Sequence, residues 1–286
     1  MPTVKKQRIF RFLWWVCNLL LAAALLATVW TGAWEYSVRQ YLDGFSDAIV
    51  PDSATNLQKV EAILSWMRNG PARMEAPNPS ELSLRDPQNT LNYRQLLQVC
   101  GTATNAFLNL ARSSRLQVRR LLLLDSARAA KHVVAEVLLD GRWVIVDPTY
   151  RAMLRDAQGN LLTRKELQDP EIFREATGQI PRYNPEFSYE SFAHVRLSAL
   201  PLHGFHIRQM LDRVFPPWDD FVDWSLLLER RSFLFLFLSV NALILSLLLR
   251  ICLAWLADHH LQVPRFRLRA HLSRATSAFF STPEIK

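Results

Sequence analysis

Two long uncharged runs bracket the chain, and between them the spacing of apolar residues switches from helical to alternating. Phe12 to Trp34 is 23 residues without a charge, enough at about 1.5 Å per residue to cross a hydrocarbon layer about 30 Å thick. Trp14, Trp15, Trp30 and Trp34 lie near its ends, where interfacial aromatics sit. A cleaved leader is the alternative reading, but Thr31-Gly32-Ala33 is a poor cleavage site and the run exceeds a leader's apolar core. Ser232 to Leu249 is a second uncharged run, rich in Leu and Phe and lacking a polar face. Ile251 to Ala257 extend it, with Arg250 reaching toward headgroups. These patterns predict transmembrane helices over 12–34 and 232–256, short basic ends at 1–11 and 257–286, and a folded region over 35–231.

Within that middle region, Glu35 to Asp52 is polar and amphipathic, a helix leaving the membrane. Asp52 or Ser53 is the expected cap of a helix whose stripe is Leu57, Val60, Ile63, Leu64 and Met67. Asn69-Gly70-Pro71 ends it, and residues 71–90, with prolines at 71, 77, 79 and 87, read as a long loop. Ala103, Ala106, Phe107, Leu110 and Ala111 then recur at helical spacing behind Cys100. Val118 to Leu124 reads as a strand. Residues 132–139 and 142–147 are β-branched and aromatic-rich, and Asp140-Gly141 between them is a two-residue hairpin signal. With Leu139 opposite Arg142, His132 and Asp147 become diagonal neighbours on one face, and a slip of one residue separates them. Beyond Tyr150, Gln158-Gly159-Asn160 reads as a turn and Thr163 to Leu167 as a short helix stopped by Pro170. Residues 178–201 form an irregular segment whose Tyr183, Phe187, Tyr189 and Phe192 line a groove or seal the domain. The fold class this implies is α+β, a helix packed on an antiparallel sheet and flanked by two transmembrane helices.

Charge orients this layout. The net +8 of the 286-residue chain lies wholly on its flanks: residues 1–34 carry Lys5, Lys6, Arg8 and Arg11 with no acid, residues 250–286 carry a net +4, and 35–249 is neutral. By the positive-inside rule both termini face the cytoplasm and the middle domain lies outside, in the periplasm of a two-pass inner-membrane protein, with Arg230 and Arg231 opposing locally. The basic pI thus describes topology and implies no nucleic-acid partner.

Candidate chemistry follows from cysteine placement. Cys17 and Cys252 sit in the apolar runs, which leaves Cys100 alone in the middle domain, unable to form a disulfide within it. A thiol at a helix N-terminus has its thiolate favoured by the dipole, and an adjacent imidazolium favours it further. His132 takes or shares the thiol proton, Asp147 fixes the ring tautomer, and the Cys100 amide helps to bind an oxyanion.

At these residues the chain resembles the transglutaminase-like superfamily, relatives of the papain-type thiol enzymes. Cys100-Gly101-Thr102-Ala103-Thr104-Asn105 is similar to its nucleophile helix, His132-Val133-Val134-Ala135-Glu136 to its histidine strand, and Trp143-Val144-Ile145-Val146-Asp147-Pro148-Thr149 to its aspartate strand. The resemblance runs from the helix near Val60 to Tyr150. Val133-Val134 replaces the family's frequent Ala-Trp, and Arg115-Leu116-Gln117-Val118-Arg119 replaces its Gly-Ile-Pro-Ala-Arg turn. Both changes fall on cleft walls, where they bear on substrate choice.

The resemblance implies catalysis by Cys100, His132 and Asp147 through a thioester, with no cofactor and no metal. The expected partner is a protein or peptide substrate in the envelope. Water as acyl acceptor makes the protein a cysteine peptidase or amidase, and an amine makes it a transglutaminase. The alternative is a non-catalytic scaffold that binds peptide or glycan in an envelope assembly. Glu136, on the His132 face, reads as a structural carboxylate rather than a substrate polariser. His203-x-x-His206 reads as a surface pair rather than a metal pair, and Arg265 to Arg269 as a basic membrane-surface segment.

Overall fold

The structure, a computed structural model, describes residues 4–70, 73–75, 82–127, 129–194, 210, 213–215, 225–261 and 276. The His203/His206 pair, the Arg265 to Arg269 tail and prolines 71, 77, 79 and 201 lie outside them. The chain forms two compact units, Met1–Trp30 with Leu238–Lys286 and Thr31–Phe237.

In the first unit, two helices long and apolar enough to cross a membrane are present. They are the early part of α1 (Val4–Ile49) and the later part of α7 (Arg231–Leu256). Leu19, Leu26, Leu245 and Ile251 point outward, a surface suited to lipid. Arg250 does not simply reach outward: its Nε donates to Asn18 Oδ1 at 2.9 Å and its guanidinium lies over Trp14. A cation within an apolar stretch is retained when a polar partner and a ring face replace water.

The second unit is built on a five-stranded antiparallel sheet in the order β4-β3-β2-β1-β5. Its strands are β1 (Val118–Leu124), β2 (Ala130–Leu139), β3 (Arg142–Asp147), β4 (Ala152–Met153) and β5 (Phe192–Ala193). The β2–β3 register is the one expected, with Leu139 opposite Arg142 and Ala135 opposite Val146. Asp140 and Gly141 both take positive φ, 50° and 80°, as a tight turn of this length requires. Helix α4 (Cys100–Ser113) covers one face, where Ala106, Phe107 and Leu110 pack with Ala135, Val137 and Val146. Behind it lie α2 (Asn56–Asn69), through Val60, Ile63 and Leu64, and the later turns of α1, through Val38 and Leu42. The other face is covered by α5 (Pro170–Gly178) and the segment after it, with Leu121, Val134, Ile145 and Tyr189 fully or almost fully buried.

Three local expectations are corrected. The α2 cap is Thr55 rather than Asp52 or Ser53, because Thr55 and Gln58 close a reciprocal capping box. Pro87 does not belong to a loop: it opens α3 (Pro87–Asn92), capped by Asp86. Pro170 likewise starts α5 after Asp169 instead of merely stopping the one-turn 3-10 helix Glu166–Gln168. A proline at the first helical position loses no hydrogen bond, and the preceding aspartate caps the free amides.

Buried charge holds the second unit together. Glu35 of α1 is 2% exposed and accepts from Arg230 Nη1 and Ser232 Oγ, each at 2.7 Å. Arg230 Nε donates to Asn109 of α4 at 3.1 Å. Glu229, which ends α6 (Ser225–Glu229), pairs with Arg112 and Arg120, and its carbonyl accepts from Asn105 Nδ2. Arg230 is thus neutralised inside the fold and does not act as a free cation beside the second apolar helix.

Removing one member of such a pair leaves a buried charge unmatched, at about 3–5 kcal/mol. Arg230→Ala is expected to lower the thermal midpoint of the detergent-solubilised chain sharply, with Glu35→Gln/Arg230→Met recovering part of the loss. After α4, Arg115 sits at φ 63°, and its amide and that of Leu116 donate back to Arg112 and Ala111. This is the left-handed exit that favours glycine, at the position where the family turn carries one. Arg115→Gly is expected to leave the unfolding free energy unchanged or raise it by up to about 1 kcal/mol, read by thermal melting, as backbone strain is relieved against greater chain entropy.

Candidate active site

Cys100 is the first residue of α4, and its cap position is taken by Val99, which offers no side-chain hydrogen bond. The amides of the first turn are therefore left for the sulfur and for whatever approaches it. Thr102 Oγ1 donates to the Leu96 and Val99 carbonyls, closing the segment that leads into the helix. Thr104 Oγ1 donates to the Val133 carbonyl at 2.9 Å, which fastens α4 to β2. The half-buried Cys100 side chain packs against Leu122, Val133 and Ala193. Its sulfur is within hydrogen-bonding reach of the Gly101 and Val133 amides and of His132.

His132, 3% exposed, bonds Asp147 through Nε2 at 2.7 Å from Oδ2. Its other nitrogen, Nδ1, is left for Cys100. The ring is held between aromatic groups: Phe187 stacks on it at 4.2 Å and 4° from parallel, while Tyr150 and Tyr183 meet it at steep angles. Asp147 is fully buried. Its Oδ1 accepts from the amides of Thr149 and Tyr150 at 3.0 and 3.3 Å, and its charge acts on the neighbouring Tyr183 phenol. The three sequence-derived site residues are thus brought together.

Asp147-Pro148 is one of three Asp-Pro pairs with the same local geometry. Asp86 and Asp169 also accept amides two or three residues onward, and there a helix follows. After Asp147 the chain makes only a turn, because Tyr150 is drawn against His132 and Tyr183. One carboxylate oxygen holds the turn and the other is free for the imidazole.

The charges respond to this geometry. Burial alone lowers the His132 pKa, but the hydrogen bonds to Asp147 and Cys100 and the charges of both outweigh it, raising the value to about 9. The hydrogen bond from His132 brings the Cys100 pKa below its ordinary value, against the opposing effect of burial. Over the range between the two, thiolate and imidazolium coexist. The His132 contribution to stability is full below its unfolded value of 6.5 and is lost as pH rises through about 9. Burial raises the Tyr183 pKa, and the neighbouring Tyr189 and Asp147 raise it further, so it remains a donor.

Glu136 shares the His132 face but is saturated: Arg119 Nε lies 2.6 Å from Oε2, and Arg164 and His194 stand at 3.9 Å. It is a structural carboxylate, as its sequence setting suggests. The aromatic cover of His132 was visible in sequence only as interleaved rings, with no sign of which one meets the imidazole. A cavity of about 350 Å³ lined by Leu124, Lys131 and Phe187 borders this cover. Another of about 540 Å³, lined by Ser46, Lys59 and Arg115, lies toward the C-terminal end of α4 and is lined by none of the three site residues. Among the described residues, no group of three or more His, Cys, Asp or Glu is arranged to hold a metal ion.

Residues 43–148 match the family model of the transglutaminase-like superfamily, a span that opens in α1 and closes one residue beyond Asp147. No curated protein and no solved structure matches the chain. The superfamily is typically thiol-dependent, and the match takes in Cys100, His132 and Asp147 together. The chain therefore carries a transglutaminase-like domain, in company with two helices long and apolar enough to anchor it in a membrane.

Proposed function

We propose that this protein is a membrane-anchored thiol enzyme that transfers the acyl group of an amide bond in envelope proteins. The observation that carries the reading is His132, bonded to Asp147 through Nε2 within a buried aromatic frame and near enough to Cys100 to lower its thiol pKa. The Cys100 thiolate attacks the amide carbonyl, forming the carbon–sulfur bond, and charge gathers on the carbonyl oxygen near the first amides of α4. As the carbon–nitrogen bond breaks, the His132 imidazolium gives its Nδ1 proton to the departing amine. A thioester on Cys100 remains. Neutral His132 then takes a proton from the acceptor as it attacks, and the thiolate is restored. Water as acceptor gives hydrolysis, and a primary amine gives transamidation. Asp147 retains its negative charge throughout and steadies the ring. The domain acts outside the cytoplasm with both termini inside, as the net +4 at each end of the chain supports.

Iodoacetamide labelling of Cys100 across pH 4 to 9 tests the chemistry. Labelling is expected to stay fast below neutrality, whereas an ordinary thiol of pKa about 8.5 slows there. His132→Ala is expected to reduce the rate at pH 6 by at least ~10-fold. Slow labelling indifferent to His132 refutes an activated thiol. Turnover of any substrate is expected to fall as pH rises through about 9, where the imidazolium loses its proton.

Topology has its own test. Reporter fusions after residue 34 and at residue 286 are expected to report outside and inside respectively. An exported C-terminus overturns the proposed orientation.

A further inference from the structure

A cavity of about 490 Å³ beside the segment leading into Cys100 is lined by Arg68, Arg73, Arg94 and Arg151, together with Gln98. Among the described residues its lining includes no carboxylate, and none of the four guanidiniums has a salt-bridge partner. The contrast with the Glu35 and Glu229 cluster is sharp, since there each buried acid is matched by arginine.

Three of the four are nonetheless held in place. Arg151 Nη1 donates to the Thr149 carbonyl and Nη2 to the Leu97 carbonyl, at 2.5 and 3.2 Å. Arg68 Nη2 donates to the Arg151 carbonyl at 2.7 Å. Arg73 Nη2 donates to the Trp66 carbonyl at 3.1 Å, with its guanidinium over the Trp66 ring. Main-chain carbonyls and a ring face orient these groups without cancelling their charge. Each guanidinium has donors to spare for a planar oxyanion. Arg73 Nε is buried with no hydrogen-bond partner among the described residues. Arg151 is itself held at φ 53°, in the left-handed region, a strain often found at ligand sites. Burial first and a neighbouring guanidinium second pull down the pKa of both Arg73 and Arg151, against a smaller opposing effect of Asp147 on Arg151, so an anion here relieves the remaining repulsion.

The cavity is lined by residues that adjoin the candidate active site along the chain. Gln98 is two residues before the nucleophile, and Arg151 follows Tyr150, whose ring meets His132. We infer that this cavity is a substrate subsite for an acidic peptide segment, which positions a nearby amide for Cys100. Four forks spread over one cavity suit several carboxylates on a chain better than a single small anion. The word substrate rests on the thiol-enzyme reading, whereas anion capture needs no thiol chemistry.

The test uses the full chain in detergent, as Cys100→Ser and with the thiol intact. The probe is fluorescent hexaglutamate, followed by anisotropy, with hexaglutamine as the neutral control. Hexaglutamate is expected to bind both forms, more tightly at low salt, and to be displaced by millimolar inorganic phosphate. Hexaglutamine is expected not to bind. Arg73→Gln/Arg94→Gln is expected to weaken binding at least ~10-fold, with Arg94→Lys keeping most of it. Normal iodoacetamide labelling of Cys100 in the double variant shows that its fold is intact. Equal binding by the double variant, or by hexaglutamine, overturns the inference. So does capture of phosphatidylglycerol nanodiscs, over phosphatidylcholine ones, without capture of hexaglutamate. Hexaglutamate binding beside a thiol that labels slowly leaves the acidic-peptide site standing and removes the enzyme reading.

Discussion

A carboxylate with no access to water sits at the centre of this domain, and much of the surrounding structure serves to satisfy it. Asp147 is fully buried, and a charge in that position persists only when its lone pairs are met. Two main-chain amides and the His132 ring meet them, with the Tyr183 phenol close by. Each partner then constrains something else. The amides bend the chain after β3, Tyr183 ties down the segment beyond α5, and His132 is left with one nitrogen for Cys100. The stacked Phe187 excludes water from this set, which strengthens every electrostatic interaction within it.

Charge is handled in two opposite ways elsewhere in the same unit. Around Glu35 and Glu229, acids and arginines are buried together and neutralise one another, and Asn105, Asn109 and Arg120 link that cluster to α4. Arg120 Nη2 reaches the Gly101 carbonyl at 3.4 Å, so the helix start that carries the sulfur is braced from the side of the fold where Glu229 lies. Around Arg73 and Arg151, cations are oriented by carbonyls and, among the described residues, have no salt-bridge partner. The first arrangement is structural, because every charge is matched. The second leaves attraction directed outward from the cavity.

Much of this domain was legible in its sequence because the relevant forces are local. Asp140-Gly141 sets the turn, the turn sets the register, and the two-residue period of a strand then brings His132 and Asp147 to one face. The helix behind Cys100 and the two apolar runs follow from periodicity and length alone. Prolines 87 and 170 were harder to read, because the same Asp-Pro pair that opens α3 and α5 makes only a turn after Asp147.

What the tertiary structure alone decided are the encounters between residues far apart in the chain. No period in the sequence announces that Phe187 lies flat on His132, that Arg230 is neutralised by Glu35 across 195 positions, or that Arg68, Arg73, Arg94 and Arg151 share one cavity. These depend on how helices and irregular segments pack across a sheet, a matter of shape and burial summed over the whole unit. The sequence by itself determined the apolar spans, the hairpin and the order of thiol, imidazole and carboxylate, because each rests on neighbours within a few residues. Packing determined which charges are matched and which are left open, because pairing depends on distance in space and leaves no periodic mark along the chain.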